Sequence, residues 1–171
     1  MWDTFINEQG DIMNKKNYQV ENLAITFSNL DKIYWPEMSL SKADLLNYYY
    51  LVGEYLLPHL KDRPIVMQRF PDGIKGKTFY QKESPAYAPK WLKTKKIKSS
   101  SSKRKAINYI ICNDLPTLLW LVNQGCIEMH PWLSKIDQLD KPEAVIFDLD
   151  PNEEASFKDV VEIASNTCCF I

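Results

Sequence analysis

The clearest periodic signal lies between residues 41 and 58. Leu45, Leu46, Tyr49, Val52, Tyr55 and Leu56 recur at helical spacing. Ser41-Lys-Ala-Asp44 precedes them as a capping box, a hydroxyl cap with an acid three residues on. A helix over about 42–57 is predicted, ending near Pro58, with the tyrosine stripe in the core. A second helix starts at Asp114 as cap, has Pro116 in its first turn and Gly125 just past its end. Its run Leu118-Leu-Trp-Leu-Val122 is apolar on every side, so it should be buried.

The remaining apolar runs are short and read as strands: 23–28, 64–70, 78–82, 94–98, 104–111 and Cys126–Trp132. Pro71-Asp-Gly73 is a turn, so 64–82 should form a hairpin-like pair. Ser99–Ser102 reads as a low-complexity tip between two strands. Ala144–Phe147 reads as a buried strand that ends in Asp148-Leu-Asp-Pro151, and a last helix is expected over 155–165. The class is therefore α/β or α+β with a mixed sheet. Residues 1–20 read as a loose arm, 21–165 as one domain and 166–171 as an atypical tail.

Composition narrows the function classes only slightly. The chain has 171 residues, 45% of them hydrophobic and 25% charged, as in ordinary globular domains. No apolar run approaches the ~20 residues of a membrane span, and no signal pattern opens the chain, so a cytoplasmic protein is expected. Cys112, Cys126, Cys168 and Cys169 form no CxxC pair, and free thiols are expected. The net charge of −1 selects no partner, but its distribution does. Of 21 basic residues, eight fall between Lys90 and Lys105 with no acid among them, which leaves 13 against 22 acidic residues elsewhere. Such a segment suits a polyanion or a solvated hairpin.

Asp148 and Asp150 are the sharpest chemical signal. On a strand, residues two apart share a face, so both carboxylates would project together. Two adjacent acids repel unless a cation lies between them, and hard divalent ions favour such oxygens. The plainer alternative is a strand exit with two solvated acids. His130, in Glu128-Met-His-Pro-Trp132, would share a face with Glu128, opposite to Met129. Lys42 stands in the first turn of the main helix, where a cation opposes the helix dipole; either an anion held there or a plain solvated lysine would explain it. Phe79 and Tyr80, flanked by Lys77 and Lys82, mix aromatic and basic residues as strand-binding surfaces do, and at most one of the two rings should be exposed.

Taken in order, Asn29-Leu-Asp-Lys-Ile-Tyr-Trp-Pro36, Ser41-Lys-Ala-Asp44, Leu57-Pro-His-Leu-Lys-Asp-Arg-Pro64, Gln68-Arg-Phe-Pro-Asp-Gly73, Phe79-Tyr-Gln-Lys82, the His130 strand and Phe147-Asp-Leu-Asp-Pro151 resemble the polymerase domain of bacterial and archaeal DNA ligase D. That domain belongs to the archaeo-eukaryotic primase superfamily. The resemblance is collinear over about 22–165.

It implies a primase-polymerase-like fold and template-directed nucleotidyl transfer to a 3′-hydroxyl during non-homologous end joining. Mn2+ or Mg2+ would be the cofactor and a nucleoside triphosphate, often a ribonucleotide, the substrate. DNA with a 5′-phosphorylated end or gap would be the partner, together with Ku and an ATP-dependent ligase, and the protein would act at the nucleoid. Asp148 and Asp150 match the family's metal-binding acids, and His130 a histidine near the incoming nucleotide. Lys32 and Lys42 match lysines that hold the 5′-phosphate, with Arg69 nearby. Phe79 and Tyr80 match aromatics that stack on the template. Lys82, Lys95, Lys96, Lys103 and Arg104 are weaker candidates for backbone contact.

The family continues well past this motif with a third metal-binding acid and a triphosphate-binding stretch. Here 21 residues follow Asp150, and Ser165–Ile171 reads as a truncated tail. Three readings follow from the sequence. The first is a polymerase or a fragment of one, and the second a non-catalytic module that binds 5′-phosphorylated DNA ends. The third is a remnant whose unfinished sheet face would stay exposed or be covered by a homodimer.

Overall fold

The computed structural model describes residues 15–98 and 106–168. Two small antiparallel ladders open the chain: β1 (Lys15–Val20) with β2 (Leu23–Ser28), and β3 (Ile33–Trp35) with β4 (Leu40–Ser41). The last six residues of the expected N-terminal arm are thus strand β1, which covers the core with Val20.

Helix α1 (Lys42–Leu60) begins at the predicted capping box, with Ser41 and Asp44 each bonding to the other's backbone N–H. It runs through Pro58 to Leu60 instead of stopping before it. Pro58 and Glu54 are exposed, so the carbonyl that loses its partner can be hydrated. The tyrosine stripe is not core: Tyr55 is 71% exposed, and of Tyr48, Tyr49 and Tyr50 only Tyr49 is half-buried, its hydroxyl donating to the Ile127 carbonyl at 2.6 Å.

The main sheet is antiparallel. β5 (Pro64–Arg69) is central, with β9 (Cys126–Pro131) along one edge. Its other edge is shared by β6 (Phe79–Gln81) and β8 (Ala106–Ile111), and β7 (Thr94–Lys98) pairs with β8. Helix α2 (Leu115–Asn123) is capped by Asp114, whose carboxylate accepts from the Thr117 N–H at 2.8 Å. Leu118 and Leu121 are fully buried, each contributing about 1.5–3 kcal/mol through burial.

Because side chains alternate along a strand, the register sorts them onto two faces. Ile65, Met67, Arg69, Phe79, Gln81, Met129 and Ile110 face α1 and α2. Val66, Gln68, Tyr80, Glu128, His130, Lys95, Tyr109 and Ile107 lie on the open face. There, Ile97, Ile107 and Tyr109 form a small cluster under Val66, Trp132 and Leu139.

The strand expected over 144–147 does not form. Residues 142–152 are irregular, and among the described residues no strand pairs with them. Val145, Ile146 and Phe147 are exposed, Ile146 to 73%. An apolar run has β propensity, but without a ladder partner it does not become a strand. Helix α3 (Phe157–Cys168) follows, two residues later than expected at its start and three at its end. Among the described residues no helix is long and apolar enough to cross a membrane.

Candidate nucleic-acid interface

Three cations gather where α1 begins and α2 ends. Lys42 is 3% exposed, and its Nζ donates to the Ser28 carbonyl at 2.7 Å and to Asn123 Oδ1 at 2.8 Å. Asn123 also accepts from the Ser28 N–H and donates to the Thr26 carbonyl, so one buried amide joins α1, α2 and β2. The Lys42 and Ala43 N–H groups donate to the carbonyls of Lys32 and Leu30. The turn carrying Lys32 is therefore tied to the start of α1.

Lys32 Nζ reaches the Pro71 carbonyl at 2.5 Å and Asp72 Oδ1 at 2.6 Å. Arg69 donates through Nε to the Gln124 carbonyl at 2.7 Å and through Nη1 to Gln81 Oε1 at 2.7 Å and the Tyr87 hydroxyl at 3.3 Å. Its guanidinium carbon lies 5.4 Å from the Phe79 ring centre, a cation–π contact. Two of the cations thus rest on the C-terminal end of α2, where the helix dipole is negative. Among the described residues no partner is recorded for Arg69 Nη2.

Gly125 makes this geometry feasible. Its φ is +79°, and a Cβ there would lie 3.1 Å from the Tyr34 hydroxyl and 3.3 Å from the Phe70 carbonyl. Electrostatics carry the same signature of crowded positive charge. Burial pushes the Lys42 ammonium down to about 8, and the charges of Lys32 and Arg69 push in the same direction. A bound anion would reverse the effect of those neighbours.

The open face is different. Tyr80 and His130 pack with ring centres 5.6 Å apart at 57°, and Glu128 Oε2 lies 3.5 Å from His130 Nε2. Phe79 and Tyr80 are 44% and 62% exposed, so the expectation that one ring turns inward fails. β6 is a three-residue strand at the sheet edge with little packed on either side, so Phe79 meets Arg69 on the helix side while Tyr80 meets His130 on the other.

Asp148 and Asp150 are exposed and outside the sheet. Their donor chemistry suits a hard divalent ion. Yet no group of three or more His, Cys, Asp or Glu that could hold a metal exists among the described residues. The two acids and His130 therefore do not stand together as a three-ligand group among the described residues. Lys82, Lys95 and Lys96 are exposed, Lys95 toward the open face and Lys96 toward the helices; Lys103 and Arg104 lie outside the described residues. Cys112 and Cys126 are buried free thiols, and burial pushes the Cys126 thiol up to about 12, so neither is a nucleophile.

Sequence reading missed Asn123 and Tyr87. Asn123 carried a signal: it is the polar end of a helix otherwise buried on every side, where an amide must find partners.

The chain is similar to known proteins over most of its length. The family model described as LigD, primase-polymerase domain, matches residues 41–169. The Bacillus subtilis bifunctional non-homologous end joining protein LigD is 34% identical over 141 residues, 82% of this chain and 22% of that protein. The Mycolicibacterium smegmatis multifunctional non-homologous end joining protein LigD is 30% identical over 142 residues, 82% of this chain and 18% of its own length. This chain therefore spans about a fifth of these relatives. Among solved structures, the polymerase domain from Mycobacterium tuberculosis ligase D in complex with DNA superposes with a TM-score of 0.71 at 26% identity, covering 82% of this chain and 51% of that one. With the family model matching 129 of 171 residues and a fold that superposes on a ligase D polymerase domain, this chain belongs to the LigD primase-polymerase domain family.

Proposed function

We propose that this domain recognises a 5′-phosphorylated DNA end or gap during non-homologous end joining. Convergence of Lys32 and Arg69 around Lys42, where α1 begins and α2 ends, is the observation that carries the reading. Lys32 and the Nη2 edge of Arg69 would meet the phosphate oxygens. Lys42, with two of its three donors spent inside the protein, would hold the Lys32 turn in place and add charge from below. The relatives' names and the DNA-bound structure of a related domain support this assignment. Ku and an ATP-dependent ligase are the partners such a role would serve, in the bacterial cytoplasm.

The test is binding of a gapped duplex with and without a 5′-phosphate, followed by fluorescence anisotropy. The phosphorylated duplex should bind about tenfold more tightly at low salt, and Lys32→Ala should erase most of the difference. Equal affinities in the parent protein would overturn the reading.

A second reading is nucleotidyl transfer, favoured by the family match, which includes Asp148 and Asp150. Mn2+ or Mg2+ would supply charge stabilisation to a nucleoside triphosphate, with His130 and Tyr80 lining the open face beside it. Labelled ribonucleotide incorporation on a primed template with Mn2+, no higher than in Asp148→Ala, would exclude catalysis by this chain.

A further inference from the structure

Tyr87 lies in the loop between β6 and β7 and is 63% exposed. It does not hang free, because its hydroxyl accepts from Arg69 Nη1 at 3.3 Å. The same guanidinium stacks on Phe79 at 5.4 Å and is held by Gln81 and the Gln124 carbonyl. Arg69 therefore links two exposed aromatic rings, one by a cation–π contact and one through a hydrogen bond, beside the lysines proposed to hold the terminal phosphate. Held at its hydroxyl, the side chain still leaves most of its surface exposed to solvent. Such a pre-positioned ring loses little freedom when a planar partner settles on it.

We infer that Tyr87 is a base-stacking residue, which takes an unpaired nucleobase of the DNA strand next to the 5′-phosphate. This rests on the end-recognition reading above and extends it to a residue that the sequence pattern did not mark. Chemistry selects a nucleobase over an apolar partner because the flanking groups are cationic: Arg69 is in contact, and Lys82 and Lys90 are exposed nearby in the chain. Strand-binding surfaces alternate rings for bases with cations for phosphates in this way.

The test uses the full chain and a gapped, 5′-phosphorylated duplex with 2-aminopurine at the unpaired position beside the phosphate. Anisotropy reports affinity and 2-aminopurine fluorescence reports stacking. Tyr87→Ala should weaken binding by about five- to twentyfold and lose the quenching seen with the parent protein. Tyr87→Phe and Tyr87→Trp keep a stacking face and should stay within about twofold, with quenching retained.

If Tyr87→Ala binds and quenches like the parent, the inference is overturned. It is equally overturned if Tyr87→Phe is as weak as Tyr87→Ala, since the hydroxyl rather than the ring would then matter. The preference of the parent protein for the 5′-phosphate is measured in the same series. If that preference is absent, the end-recognition reading fails; if it is present while Tyr87→Ala is neutral, only the stacking role fails. Circular dichroism melts of each variant confirm that the folded state is intact.

Discussion

On the helix side of β6 the three cations Lys32, Lys42 and Arg69 are held. Lys32 and Lys42 have two hydrogen-bond acceptors each, and Arg69 has three and an aromatic ring. On the open side, His130 has one carboxylate neighbour at 3.5 Å, and the two acids expected to join it stand outside the sheet. The first region is preorganised and rests on the core; the second presents its groups without assembling them. Recognition of an anion needs only fixed positive groups, which residues 28–125 supply among themselves. Gathering Asp148 and Asp150 with His130 would need the 144–150 segment brought to the sheet, and a strand exists only where another strand accepts its hydrogen bonds.

The contrast is broken most severely at Asn123. Asn123→Leu should cost about 2–4 kcal/mol in urea unfolding, because it leaves the Lys42 ammonium buried with a single acceptor and two backbone groups of β2 unpaired. By contrast Ile146→Lys, at an apolar but exposed position, should shift stability by less than about 0.5 kcal/mol. A large loss at Ile146 would show that the 144–150 segment is packed after all.

Gly125→Ala should come next, at about 1–3 kcal/mol, since the left-handed backbone and the nearby Tyr34 hydroxyl both oppose a Cβ. It should also weaken discrimination for the 5′-phosphate by displacing the Gln124 carbonyl that holds Arg69. Thermal melts and the binding assay check the two effects separately.

Lys42 gives the comparison a pH dependence. Its ammonium is lowered to about 8 in the folded protein against 10.5 in the unfolded chain, so above pH 8 the unfolded state binds the extra proton. Its contribution therefore destabilises the fold below pH 8 and fades as pH rises from 8 towards 10.5, raising relative stability by a few kcal/mol over that window. Lys42→Met should lack this rise when compared with the parent in urea titrations at pH 7.5 and 9.5. Conversely, 5′-phosphate affinity in the parent should fall as pH rises through 8, because the anion needs the charged ammonium.

The smallest effect is expected at Asp72, whose exposed carboxylate competes with a phosphate for Lys32. Asp72→Asn should tighten binding of the phosphorylated gap by about two- to fivefold, consistent with a surface ion pair worth under ~1 kcal/mol. Weaker binding would mean that Asp72 positions Lys32 instead.

Much of this architecture was legible in local chemistry. Ser41 and Asp44 marked the start of α1, Asp114 and Gly125 bracketed α2, and short apolar runs identified the strands of the main sheet. What could not be read was anything set by distant partners. Burial of Lys42 depends on Asn123, 81 residues away, and no local pattern announces it. The run Ala144–Phe147 has strand composition, but strand formation depends on a neighbour. Exposure of both Phe79 and Tyr80 follows from β6 being an edge strand, which is a property of the sheet order.

The most direct test is a 31P NMR pH titration of the terminal phosphate on a gapped duplex, free and saturated with the protein. If Lys32, Lys42 and Arg69 surround that phosphate, the bound group should remain dianionic well below its free midpoint, which lies near ~6. A depression of about one unit or more, lost in Lys32→Ala, is the predicted result. An unchanged midpoint in the bound state would contradict the account.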